Sequence, residues 1–146
     1  MNFRLIIDKT KEEEVVVTAH ARSPLTDQIE ALVMQPAPSD RIAAYHEDEV
    51  LMLSFSQIAC ITVLDGKTYA IDTQNRRFRL KARLYELEER LPSHFIRLNK
   101  SAIANENHLA KFTPSFSGAV DAVFQCGHKE YVSRRCFAVI KRRYHL

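Results

Sequence analysis

Residues 80–105, LKARLYELEERLPSHFIRLNKSAIAN, decide how the rest of the chain is read. Leu80, Leu84, Leu87 and Leu91 recur at steps of four, three and four residues, which is one face of an α-helix. Lys81, Arg83, Glu86, Glu88, Glu89 and Arg90 lie between them, a solvated face with opposite charges at helical spacing. Pro92 closes the run, so the spacing predicts a helix over 80–91. Phe95-Ile96-Arg97-Leu98 then alternates like a strand and delivers Asn99-Lys100-Ser101 before Ala102-Ile103-Ala104 turns apolar again. Three hydrogen-bonding side chains between two hydrophobic runs make a presented loop.

Outward from this stretch, strand signals dominate. Upstream they fall at 42–45, 49–54, 58–64, 68–72 and 77–80, with Asp65-Gly66 as a hairpin turn and Lys67 just past it. Downstream they fall at 108–112, 118–125, 130–133 and 136–140, with Gly127-His128 as a second tight turn and 141–146 as a basic tail. Many short strands, few glycines and one short central helix predict an α+β fold built mostly from antiparallel sheets.

The start of the chain reads differently. Residues 2–8 and the β-branched run 15–19 predict a hairpin, and Ser23-Pro24 starts a helix with the serine as N-cap and the proline at the first helical position. Leu25, Ile29, Leu32 and Val33 give that helix an apolar face, to pack on its own hairpin or to serve as a dimer surface. Pro36-Ala37-Pro38-Ser39-Asp40 is the clearest linker in the sequence. The expected organisation is a strand-strand-helix extension over 1–38 and a single domain over 41–146. The extension is too short to be a receiver or sensor domain with its own core.

Composition narrows the function. The chain has 146 residues, 46% of them apolar and 27% charged, which places it among globular chains. Its net charge of +3 hides an asymmetry: residues 1–60 carry five Lys and Arg against ten Asp and Glu, and residues 61–146 carry sixteen against eight. A basic portion joined to an acidic one is expected where the former meets a polyanion. No apolar run approaches membrane-spanning length and no signal peptide stands at the start, so a cytoplasmic protein is expected. Cys60, Cys126 and Cys136 are odd in number and scattered, as reduced thiols would be. Cys126-Gly127-His128 with Cys136 lacks the repeated spacing of a structural zinc site, and no cofactor is expected.

Gly66, Gly118 and Gly127 are the only glycines, and none lies in a phosphate-binding loop. No nucleophile elbow is present either. The chain therefore reads as non-enzymatic, with no small-molecule substrate. Arg76-Arg77, Lys100 and Arg134-Arg135 lie in or beside expected loops, where long side chains reach phosphates or base edges without disturbing a core. The competing reading of these charges is simple solubility.

The run FIRLNKSAIANENHLAKF, followed about twenty residues later by KEYVSRRCFAVIKRR, resembles the LytTR DNA-binding domain of bacterial transcription regulators. Arg97, Lys100, Ser101, Asn105, Ser133, Arg134 and Arg135 sit where that family's pattern expects such residues, and the likeness covers 41–143. Asn99 stands where the family often has His, Ala102 replaces a usual aromatic, and Arg83 replaces a frequent Ser.

The resemblance implies an elongated stack of small antiparallel sheets that reads double-stranded DNA with loops. Family members insert loop side chains into successive major grooves and occupy direct repeats as two copies, so a homodimer on DNA is expected. Carried over by position, Lys67, Lys100 and Arg135 would read bases, and Asn99, Ser101 and Arg134 would be auxiliary contacts, all facing one surface. Asn105 would instead satisfy backbone groups in a turn.

Most relatives carry a receiver domain and are response regulators. This chain shows none, so its control is expected from abundance, a partner or the extension. Kinship with short members also implies a membrane-protein antagonist. The rival reading is a protein-interaction or antagonist module that keeps the domain shape. An RNA-binding module would want exposed aromatics on a strand face, and none are arranged so.

Overall fold

A computed structural model describes residues 2–34, 40–115 and 118–146. The chain divides into two compact units, Met1–Ala37 and Pro38–Leu146. The linker expected at 36–40 lies, but for Asp40, outside the described residues. Among the described residues no helix is long and apolar enough to cross a membrane.

In the first unit, helix α1 (Pro24–Met34) starts where the sequence predicts. The Thr26 N–H donates to Ser23 Oγ at 3.3 Å and the Ser23 N–H donates to Thr26 Oγ1 at 2.9 Å, a reciprocal cap. Arg22 adds ion pairs to Asp27 and Glu30 on the first two turns. The expected hairpin is a correction: neither 2–8 nor 15–19 forms a strand. Asp8 does accept from Thr10 and makes the turn, but Phe3, Ile7 and Val16 stay 90%, 83% and 74% exposed. An isolated pair of strands has no face to bury and holds its register poorly in water, whatever its β-propensity.

The second unit runs β1 (Arg41–His46), β2 (Glu49–Ser54), β3 (Ile58–Leu64), β4 (Lys67–Asp72), β5 (Arg77–Leu80), α2 (Leu84–Arg90), β6 (Phe95–Asn99), β7 (Ala102–Asn105), β8 (Leu109–Pro114), β9 (Val120–Phe124), β10 (Lys129–Val132) and α3 (Arg134–Tyr144). One sheet has seven strands in the order β2-β1-β5-β4-β3-β7-β6, and a second has three, β10-β9-β8. Every pairing is antiparallel, as the short-strand pattern predicts.

Strand β3 lies at the heart of the large sheet, between β4 and β7, and is buried from Ile58 to Thr62. Alternation along the strands splits the apolar residues between two cores. Ile61, Ile103, Phe78 and Leu80 face Leu84 and Leu87 of α2. Cys60, Ala102, Ala104, Ile96 and Leu98 face Phe124, Val132 and Ile140 of the small sheet and α3. The sheet is thus covered on both faces, which explains why β3 reads as a continuous apolar run.

Two helices depart from expectation. α2 is shorter than 80–91 because Leu80 still pairs with Thr68 as the last residue of β5, and Leu91 is the C-cap. The strand expected at 136–140 and the tail at 141–146 are instead mostly helix α3. Ser133 Oγ accepts from the Cys136 N–H at 3.2 Å, capping it, and Phe137 and Ile140 recur at helical spacing toward the core. The second unit therefore has two α-helices where one central helix was expected.

Candidate nucleic-acid interface

Three connections meet at one end of the large sheet. The first is the β3–β4 hairpin, whose Asp65 and Gly66 both take positive φ, 52° and 74°. That is the demand of a tight two-residue turn matched to strand twist. It brings Lys67 opposite Leu64 in the ladder.

The second connection is Lys100-Ser101 between β6 and β7. The Val63 N–H donates to the Ser101 carbonyl at 2.8 Å, which seats this turn beside the first. The third is the junction of β10 with α3, Ser133-Arg134-Arg135. The Ser133 N–H donates to the Leu98 carbonyl at 2.9 Å, so the start of α3 lies against the end of β6.

Two side chains hold these turns in place. Asn99 is 9% exposed; its Nδ2 donates to the Tyr131 carbonyl at 2.5 Å while its Oδ1 accepts from the Ser101 N–H at 2.7 Å. One amide thereby ties the second tip to the strand leading into the third. Arg97 donates to the Asn99 carbonyl at 2.7 Å, the Lys100 carbonyl at 2.8 Å and the Glu88 carboxylate at 2.9 Å, fixing the loop against α2. Sequence reasoning placed Asn99 as an auxiliary contact and gave Arg97 no role beyond matching a pattern. Its only signal was position, an Arg two residues before the Asn99-Lys100-Ser101 loop.

The cations themselves are exposed: Lys67, Lys100, Arg134 and Arg135. Among the described residues none of the four forms an ion pair. Arg134 and Arg135 occupy the first turn of α3, which has no acidic residue. The helix dipole makes that end partly positive, so two guanidiniums there raise the local potential and invite an anion. Ser101 is half-buried and its backbone is fully engaged.

Other basic residues singled out from the sequence are differently employed. Arg76 donates from Nε to Asp72 Oδ2 at 2.8 Å, and the 97% buried Asp72 also accepts from the Gln74 and Arg76 N–H groups. Arg77 lies over the Tyr69 ring at 4.8 Å. Arg143 forks onto Glu106 at 3.0 Å on each oxygen, with Tyr144 Oη on the same carboxylate. These contacts hold Glu106 below the ordinary carboxylate range, the Arg143 hydrogen bond being the largest cause. Asn105 is fully buried; it donates to the Ile58 carbonyl at 3.0 Å and accepts from the Asn107 N–H at 3.0 Å, the backbone role expected of it.

Histidine and cysteine are brought together in a way the sequence spacing hid. Cys60 Sγ, a ring nitrogen of His128 and a carboxylate oxygen of Glu130 lie within 4.8 Å of one another. Neither Cys126 nor Cys136, the partners considered for His128 from the sequence, is part of this group.

A two-sheet domain that presents exposed cations on turns and at a helix N-terminus has the chemistry of a polyanion-binding module. The family model for the LytTr DNA-binding domain matches residues 48–145, and this chain belongs to that family. The family is one of DNA binding, not of catalysis.

An uncharacterized HTH-type transcriptional regulator of Staphylococcus aureus strain MSSA476 is 32% identical over 146 residues, covering 98% of this chain and 97% of its own. A counterpart from strain MW2 is similar to the same extent. The fold is also that of a solved LytTr DNA-binding domain from a Bacillus cereus protein described as a methyl-accepting/DNA response regulator. That match has a TM-score of 0.67 at 23% identity and covers 74% of this chain and 99% of the other. In this chain strands separate α1 from α2 and α2 from α3, so no two consecutive helices form a helix-turn-helix among the described residues.

Proposed function

We propose that this chain is a sequence-specific regulator of transcription that binds double-stranded DNA in the bacterial cytoplasm. In this reading Lys67, Lys100 and Arg135 enter the major groove from three neighbouring turns, and Arg134 neutralises adjacent phosphates. The observation that carries it is the gathering of exposed cations without internal partners at one end of the sheet, two of them at the positive end of a helix. Arg and Lys both reach the acceptor edge of guanine, and a good pair discriminates by about 1–3 kcal/mol. Asn99 and Arg97 are positioning residues in this scheme. Occupation of direct repeats by two copies, and restraint by a membrane partner, rest on family kinship alone.

Selection of bound duplexes from a random pool supplies the operator, and fluorescence anisotropy then measures affinity for operator and scrambled DNA. Lys100→Ala and Arg135→Ala are each expected to weaken operator binding by about 1–3 kcal/mol with an unaltered melting temperature. Wild-type affinity is expected to fall steeply with salt. Intact operator affinity in both folded variants would overturn the contact assignment. Selection yielding no preferred sequence would favour the protein-interaction reading.

A further inference from the structure

We propose that Cys60, His128 and Glu130 bind a divalent transition-metal ion, zinc by the character of the ligands, with water in the fourth position. This goes beyond DNA binding and does not depend on it. The three donor atoms, one sulfur, one imidazole nitrogen and one carboxylate oxygen, already lie within 4.8 Å of one another. Donors around tetrahedral zinc stand about 3.3–3.8 Å apart, given bonds of about 2.0–2.3 Å. Closing the site brings the sulfur in by no more than about 1.3 Å and opens the His128–Glu130 pair by about 0.5 Å. His128 Nε2 and Glu130 Oε2, at 2.8 Å, share a hydrogen bond that the ion would replace.

The surroundings are those of a built site. Cys60 is fully buried on β3, whereas the side chains of His128 and Glu130 retain 20% and 17% exposure and leave a path for entry. His128 and Glu130 are two residues apart on an extended segment, so both side chains point to one face. Thr62 Oγ1 donates to the other Glu130 oxygen at 3.1 Å, and the Phe124 ring lies 5.5 Å from that of His128; both restrain first ligands from outside. Cys126, in the turn just before His128, packs against the same core as Cys60.

Chemistry agrees with the geometry. A bound cation holds the Cys60 sulfur as thiolate, releasing its proton to solvent. A thiolate and an imidazole together favour zinc over magnesium or calcium. Glu130 directly precedes Tyr131, whose carbonyl receives Asn99, so the ion would clamp the small sheet to β3 next to the third cationic tip.

The test uses the full chain, freed of metal by chelator under reducing conditions and titrated with cobalt(II). A thiolate-to-cobalt charge-transfer band saturating at one ion per chain, and bleached by added zinc, is the expected result. Cys60→Ser should abolish the band, and Cys126→Ser should leave it in place. His128→Ala and Glu130→Gln, at partly exposed positions that tolerate change better than Cys60, should weaken cobalt binding at least tenfold. Zinc should raise the melting temperature of the wild type and not of His128→Ala. No charge-transfer band in the wild type, or wild-type affinity in both the His128 and Glu130 variants, would overturn the site whatever the protein does with DNA.

Discussion

The large sheet has two ends that treat polar side chains in opposite ways. At the end carrying the β4–β5 turn, Asp72 is saturated by Arg76 and two backbone N–H groups, and Asn105 bridges β3 and the turn after β7. The C-terminus of α3 docks there through Arg143 on Glu106 and the Ser93 carbonyl. At the other end, Lys67, Lys100, Arg134 and Arg135 stand exposed, while Asn99 and Arg97 are engaged in holding the turns. Cations occur at both ends. What separates them is whether the fold supplies a partner, and the DNA-binding face proposed above rests on that distinction.

The largest expected effect belongs to the closed end. Asn105→Ala removes a buried amide that donates to the Ile58 carbonyl and accepts from the Asn107 N–H, while the Phe55 carbonyl keeps the Ile58 N–H. An orphaned buried polar group destabilises by about 1–3 kcal/mol. A loss of about 2–3 kcal/mol in urea unfolding is expected, with the ratio of operator to scrambled-DNA affinity unchanged in the folded fraction. A changed ratio would mean that the two ends are not separable.

Asn99→Ala probes the hinge between structure and contact. Its amide joins Tyr131 to Ser101, so its loss should lower stability by about 1–3 kcal/mol and also loosen the second and third tips. Operator affinity should fall together with stability, unlike Lys100→Ala, where stability stays constant. Asn99→Asp is the sharper variant: Oδ1 still accepts from Ser101 while the donor to Tyr131 is gone. If Asn99→Ala reduced affinity without reducing stability, Asn99 would be a contact residue and not a positioning one.

Acid should act mainly on the closed end. Glu106 has a folded pKa below its unfolded value, because Arg143, and to a lesser extent Tyr144, hydrogen-bond the charged form. Its contribution is therefore complete above the ordinary carboxylate range and is lost as pH falls through the depressed folded value. Thermal melts taken from pH 7 downward should show a decline below about pH 4.5 that is smaller in Glu106→Gln. An identical decline in the variant would place the acid sensitivity elsewhere.

Much of this contrast was legible in the sequence, and the rest was hidden for identifiable reasons. The β3–β4 hairpin announced itself through Asp65-Gly66, and the β6–β7 loop through polar residues between apolar runs. The family resemblance led to the three tips. α3 was misread because Cys136-Phe137-Ala138-Val139-Ile140 is apolar throughout and carries neither a period of two nor one of 3.6. Its cap, Ser133, stood at the end of a strand and was absorbed into it. The arms at 2–8 and 15–19 had strand propensity but no sheet to join. The part Asn99 plays in seating the loop was hidden because its partner Tyr131 lies in another sheet, and Cys60 and Glu130 meet only after folding.

The smallest effect is the most diagnostic of the open end. Arg134 and Arg135 sit at the positive pole of α3, where the dipole opposes them, while Lys141, Arg142 and Arg143 sit in its last turn, where the dipole favours them. Substituting Gln for Arg134 or Arg135 should therefore stabilise the free protein, by about 0.3–1 kcal/mol at low ionic strength, with the gain fading as salt is added. The same substitutions should weaken DNA binding. A residue that lowers the stability of its own fold while raising affinity for a polyanion is held in place by the partner and not by the fold. If the Gln variants were instead less stable than wild type, the arginines would have internal partners, and the asymmetry between the two ends of the sheet would disappear.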